Sequence, residues 1–256
     1  MRLPAFLLIV ASGALPAACG GLPPLRGQIE VGRDAYAVFV AGGGPAGGDL
    51  YAVRAEGGAA IPITFSNVGE MRPRLSPDGV AVVFLRGRSL VDSTPATIWV
   101  VNLLSGAERE LELPKAAGAP VLAAWSADGR TIVVSTASGL YRFGAPPADG
   151  RARPVPAGER APAESSLAVL LGDPVFARVV PCAENDALCA ASDSGAPQLL
   201  ARGASDPFRW GADSVAYFVD GNVEIRPLGA GHMRRLEISG PPRPRQMTAF
   251  MGRPRP

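Results

Sequence analysis

Histidine and lysine are almost absent from this sequence: His232 is the only imidazole and Lys115 the only lysine in 256 residues. A serine-type nucleophile needs a base beside its hydroxyl. With one imidazole and no Gly-x-Ser-x-Gly elbow, no hydrolase triad is legible, and the expectation is that the chain is not an enzyme. Zinc usually takes four ligands; three cysteines and one distant histidine supply no such set, so neither metal nor cofactor is expected. The net charge is only +2, which gives no reason to expect nucleic acid as a partner. The glycine-rich stretch from Gly42 to Gly48 lacks the Gly-Lys-Ser/Thr ending of a phosphate loop and reads as a hairpin loop. Long apolar runs are also missing, since the one at the start is shorter than the roughly 20 residues of a membrane-spanning helix.

That opening run has a different use. Arg2 is followed by Leu3, Phe6, Leu7, Leu8, Ile9 and Val10, and the small pair Ala17-Ala18 precedes Cys19, which is the pattern of a secretory signal over residues 1–18. The segment Leu15-Pro16-Ala17-Ala18-Cys19-Gly20 resembles the lipobox of bacterial lipoproteins, with Pro16 standing where the usual leucine would be. The resemblance implies cleavage before Cys19 and a lipid on its sulfur, so that the chain is exported and held at a membrane, on the periplasmic or cell-surface side. The other reading is an ordinary cleaved signal with an incidental cysteine. Residues 19–30, beginning Gly20-Gly21-Leu22-Pro23-Pro24, have the composition of a tether. Two cysteines then remain, Cys182 and Cys189. In an exported chain they read as a disulfide, with a pair of reduced thiols as the alternative.

The 31 glycines and 26 prolines are too many for a helical protein, while 47% hydrophobic residues is too many for a disordered one. Short strands joined by frequent turns satisfy both. A search for self-similarity finds five segments in which an aspartate turn precedes an apolar run, with Asp34, Asp78, Asp128, Asp173 and Asp213 spaced 44, 50, 45 and 40 residues apart. A second apolar segment and a more polar third follow each run, as in Thr97 to Val101 and then Arg109 to Leu113. With the strand before the turn, each unit has four strands, which predicts an all-β protein: a β-propeller over residues 31–240 with five visible blades, five or six in total. Residues 241–256 hold a lone strand, Arg243 to Phe250, that either closes the ring or begins a sixth blade, and then a Pro/Arg-rich tail.

Pro73-Arg74-Leu75-Ser76-Pro77-Asp78-Gly79 and Ala124-Trp125-Ser126-Ala127-Asp128-Gly129 resemble the repeat of TolB-type propellers, whose hallmark is Trp-Ser-Pro-Asp-Gly between a blade's first two strands. Trp210-Gly211-Ala212-Asp213 is a weaker copy, and Leu75 stands in place of the tryptophan in the first. The five aspartates, with Gly79 and Gly129, read as structural turn residues, because a turn recurs in every unit and a catalytic pair does not. Trp99, Trp125 and Trp210 read as packing between blades. The resemblance implies a monomeric, membrane-anchored scaffold that docks a protein partner in the bacterial cell envelope. The alternatives are a gating propeller working with a separate peptidase, as in prolyl-oligopeptidase-type enzymes, or a propeller that binds a small ligand.

Overall fold

The computed structural model describes residues 25–42, 48–87, 96–145, 159–160, 179–182, 187–192, 195–240 and 243–253. Cys19 and Asp173 lie outside them. The chain is an all-β propeller. The first blade holds β1 (Ala35–Ala41), β2 (Asp49–Arg54) and β4 (Ile61–Pro62), with the short β3 (Gly58–Ala59) before β4. The second is built from β5 (Glu70–Leu75), β6 (Ala81–Arg86), β7 (Thr97–Asn102) and β8 (Glu108–Leu111). The third comprises β9 (Pro120–Trp125), β10 (Thr131–Thr136), β11 (Gly139–Gly144) and β12 (Glu159–Arg160). A three-stranded sheet follows, made of β13 (Val179–Pro181), β14 (Ala187–Ser192) and β15 (Gly195–Arg202). The last blade has β16 (Ala204–Arg209), β17 (Ser214–Val219), β18 (Asn222–Pro227) and β19 (Arg234–Leu236). Finally come β20 (Ile238–Ser239), which pairs in parallel with β3, and β21 (Arg245–Met251).

The strand β21 settles one open choice from the sequence. It pairs antiparallel with β1, from Ala35 opposite Met251 to Val40 opposite Arg245, and so becomes the innermost strand of the first blade. It closes the ring and does not begin a further blade. The described residues therefore form four complete four-stranded blades and one three-stranded sheet, in place of the five complete units expected from the repeat.

Why the second strand of each blade is apolar throughout follows from what covers it. Side chains alternate between the two faces of a strand. On β1, Tyr36, Val38 and Val40 pack with Val82, Phe84 and Val101 of the second blade. Ala37, Phe39 and Ala41 pack the other way, with Phe208, Trp210, Ala216 and Phe218 of the last blade. β6 repeats this arrangement, sending Val82 and Phe84 toward the first blade and Ala81, Val83 and Leu85 toward Trp125, Ile132 and Val134 of the third. Each fully covered Val, Leu or Phe contributes about 1.5–3 kcal/mol, and both faces are covered only when neighbours stand on either side. Leu25 and Ile29 belong to the same cores. Both lie inside the segment, residues 19–30, that the sequence reads as tether.

Strands alternate direction within a blade, so the aspartate turns and the turns between third and fourth strands open at one end of the ring, called here the turn end. Two of these turns are near-copies. In the second blade Asp78 Oδ1 accepts from the Ser76 hydroxyl (2.6 Å) and the Val80 amide (3.2 Å). In the third, Asp128 Oδ1 accepts from the Ser126 hydroxyl (2.6 Å) and the Arg130 amide (3.0 Å), and these bonds hold the Asp128 carboxyl below the usual aspartate range. Gly79 and Gly129 both take φ of 69°, the left-handed region that disfavours a side chain. Asp34 works differently, with Oδ2 accepting from the Glu30 amide (2.9 Å) and from Arg54. At Asp213 it is the main-chain carbonyl that accepts, from the Leu228 amide (2.7 Å).

Gly79 carries a second constraint. A methyl group there would stand 2.5 Å from the Phe250 ring, whereas at Gly129 the nearest atom, on Pro77, is at 3.5 Å. Gly129→Ala should therefore cost about 1–2 kcal/mol from its backbone conformation. Gly79→Ala should cost that plus about 1–3 kcal/mol for displacing the closing strand. Urea melts of the two variants check this, and equal costs would show that Phe250 does not press on the turn.

Candidate functional site

Innermost strands decide what lines the centre of a propeller. Here β16, β21, β5 and β9 stand side by side in that order. Where they run into the turn end, a cavity of about 440 Å³ opens among Arg74, Trp125, Phe208, Arg209 and Phe250. Ser76, Ser126 and Thr248 also line it, the two serine hydroxyls donating to their turn aspartates, and among the described residues no carboxylate or imidazole lines it. Its shape is fixed by bonds between blades: Trp125 Nε1 donates to the Arg74 carbonyl (3.0 Å), and the Leu75 amide donates to Thr248 Oγ1 (3.3 Å). Arg209 Nε donates to the Gly211 carbonyl (2.7 Å), which holds the guanidinium at the rim. An aromatic wall with hydroxyls and two guanidinium groups suits an apolar segment that carries hydrogen-bond acceptors or negative charge.

Toward the opposite end the same strands are irregular. Register breaks fall between Met71 and Arg74 on β5, between Ser205 and Phe208 on β16, and on β21 where it faces Phe39 and Val40. At these bulges three non-glycine residues take left-handed φ: Arg72 (52°), Asp206 (46°) and Gln246 (48°). A bulge re-aims a side chain, and two of these reach the next blade. Gln246 Oε1 accepts from the Arg72 amide (2.6 Å), and the Arg72 guanidinium donates to the Val121 carbonyl. The backbone strain, of order 1–3 kcal/mol per residue, is thus offset by links around the ring. The repeat pattern did not reveal these positions. Arg72-Pro73 and Asp206-Pro207 carried the available signal, because proline within a strand marks a bulge.

A second feature missed in the sequence is Glu70, which is fully enclosed between the first and second blades. Its carboxyl accepts from the Thr64 hydroxyl, the Leu50 amide (3.2 Å) and the Arg86 guanidinium. Arg86 also binds Glu108 (2.7 Å) and lies over the Trp99 ring at 4.4 Å. Burial pushes the Glu70 pKa up, against the opposing pull of Thr64 and Arg86. On Arg86 burial acts downward, but hydrogen bonds to the two glutamates outweigh it and raise its pKa. The enclosed Glu70 carboxyl thus clamps the second blade to the first through Leu50 and Thr64.

The remaining residues singled out in the sequence do not converge. The turn aspartates Asp78, Asp128 and Asp213 stand behind the cavity wall and do not line it. Cys182 and Cys189 form a disulfide, with Cα atoms 5.3 Å apart, where β13 leads into β14. His232 is exposed on the turn before β19. Among the described residues no group of three or more His, Cys, Asp or Glu side chains is placed to hold a metal ion.

No protein-family model and no curated protein matches the sequence. Solved structures similar to the chain include TolB from Acinetobacter baumannii, at 13% identity and a TM-score of 0.37, covering 84% of this chain and 66% of that one. They also include the periplasmic gluconolactonase of Pseudomonas aeruginosa (17%, TM-score 0.34, covering 79% and 67%). A third is the β-propeller domain of the Trilobed protease from Pyrococcus furiosus (14%, TM-score 0.34, covering 79% and 53%). The chain thus spans about two thirds or less of the lengths of these proteins. At such identities and TM-scores the likeness assigns neither a family nor an activity. It does correct one expectation: propeller enzymes, a gluconolactonase among them, stand beside TolB in the same set, so the reading of the chain as not an enzyme is withdrawn.

The Glu70 clamp gives a direct test. Arg86→Met leaves the enclosed carboxyl without its cation and should cost about 3–5 kcal/mol at neutral pH. Because folding raises the Glu70 pKa, the native state holds that proton more tightly than the unfolded chain does. The stability it contributes is lost as pH rises from the ordinary glutamate range through the raised value. Glu70→Gln should flatten that part of the profile, measured by denaturant melts across pH, and an unchanged profile would contradict the assignment.

Proposed function

We propose that the chain is exported, held at a membrane by a lipid on Cys19, and binds a partner polypeptide of the cell envelope in the cavity at the turn end. The observation that carries the binding site is the make-up of that cavity: aromatic walls and two arginines, with no carboxylate or imidazole among the described residues that line it. Such a mixed surface can hold an extended segment through apolar contact and hydrogen bonds. The Cys182–Cys189 disulfide supports an oxidising compartment outside the cytoplasm. Residues 1–18 are then the signal and the residues after Cys19 the link to the folded body.

The blade number belongs to the same proposal. β14 touches β16 as β2 touches β5 and β7 touches β9, so β14 occupies the third-strand place of a blade. On this reading the three-stranded sheet is the fourth of five blades.

Ala127 lines the cavity and is exposed, so Ala127→Trp fills the mouth without disturbing the core. Affinity capture from envelope extracts should recover a partner with the unmodified chain and with Phe65→Ala at the opposite end, and lose it with Ala127→Trp. Recovery unaffected by the tryptophan would place binding elsewhere, and capture of no partner by the unmodified chain would count against the proposal as a whole.

A further inference from the structure

Both ends of the described chain emerge at one place. Gly32 stands against Val80 and the Asp78 carbonyl, so the segment entering β1 runs along the turn end between the first two blades. The Arg253 amide donates to the Arg33 carbonyl (3.1 Å), which brings the end of β21 to the same spot. Leu25 is fully buried there, and Cys19 lies six residues earlier, a reach of at most about 20 Å. The blades on either side of the first, the second and the last, each present an exposed apolar side chain on the turn between third and fourth strands: Leu104 (47% exposed) and Met233 (50%). Arg26 and Arg253 lie at the same end, and neither is ion-paired to a carboxylate among the described residues.

We infer that the turn end of the first, second and last blades is a bilayer-apposed surface, with Leu104 and Met233 entering the headgroup region and Arg26 and Arg253 meeting lipid phosphate. This rests on the lipid anchor proposed above. A short tether on this face brings the surface to the membrane, and apolar tips flanked by arginine are what a phospholipid interface accepts. The binding cavity then opens toward the bilayer, so a segment entering it comes from the gap between propeller and membrane. Phe65 (83% exposed) and Val121 (47%), at the opposite end, face away.

The test uses the full mature chain in phosphatidylethanolamine–phosphatidylglycerol vesicles carrying headgroup-level nitroxide quenchers. A fluorophore is attached in turn to Leu104→Cys, Met233→Cys, Phe65→Cys and Val121→Cys, all at exposed positions, and the intact mass reports acylation of Cys19. The expected result is about twofold quenching or more at positions 104 and 233, and little at 65 and 121. An acylated chain quenched at 65 and 121, or at none of the four, overturns the orientation while leaving the anchor standing. A chain without the acyl mass overturns both.

Discussion

Closure of the ring by β21 is the constraint on which the rest of the structure depends. A blade has two greasy faces and cannot bury either alone. In β1 alternate residues belong to cores shared with different neighbours, so the first blade is covered only while the second and last blades both stand against it. The strand that makes this simultaneous is the final one, whose Phe250 packs with the second blade's core and whose Met247 packs with the last blade's. The first blade therefore remains incomplete until the end of the chain returns to it.

Polar links follow the same geometry. Tyr36 donates to the Gly79 carbonyl beneath the Phe250 ring, and burial, helped by nearby Asp78, raises its pKa. Glu70, paired with Arg86 of its own blade, fastens the second blade to the first through the Leu50 amide and the Thr64 hydroxyl, while Gln246, Arg72 and Val121 join three innermost strands in succession. Such groups are costly to bury singly. They specify which blade meets which. Both described ends of the chain lie at the cavity's own end of the ring.

Much of this was legible in the sequence because repeats expose their logic through spacing. The aspartates at 78 and 128, with glycine next to them, marked real turns, and the run Val80 to Leu85 announced a strand covered on both faces. The cysteine pair was legible from the even remainder after Cys19. What stayed hidden depends on distance between remote residues. Leu25 and Ile29 look like linker in composition but find pockets only in the assembled ring. Glu70 sits in an ordinary polar stretch, and its enclosure comes from Leu50 and Thr64 of the preceding blade. Absence of a legible triad did not establish absence of catalysis either, because side chains that meet in a folded ring can lie far apart in sequence.

Removing residues 245–256 tests ring closure most directly. The account predicts that the truncated chain loses cooperative thermal unfolding and that amide exchange rises in β1 and β6 and at the Phe208–Trp210 contact, far from the deletion in sequence. A truncated chain that melts in one transition at the full-length temperature, with β1 still protected, would contradict it.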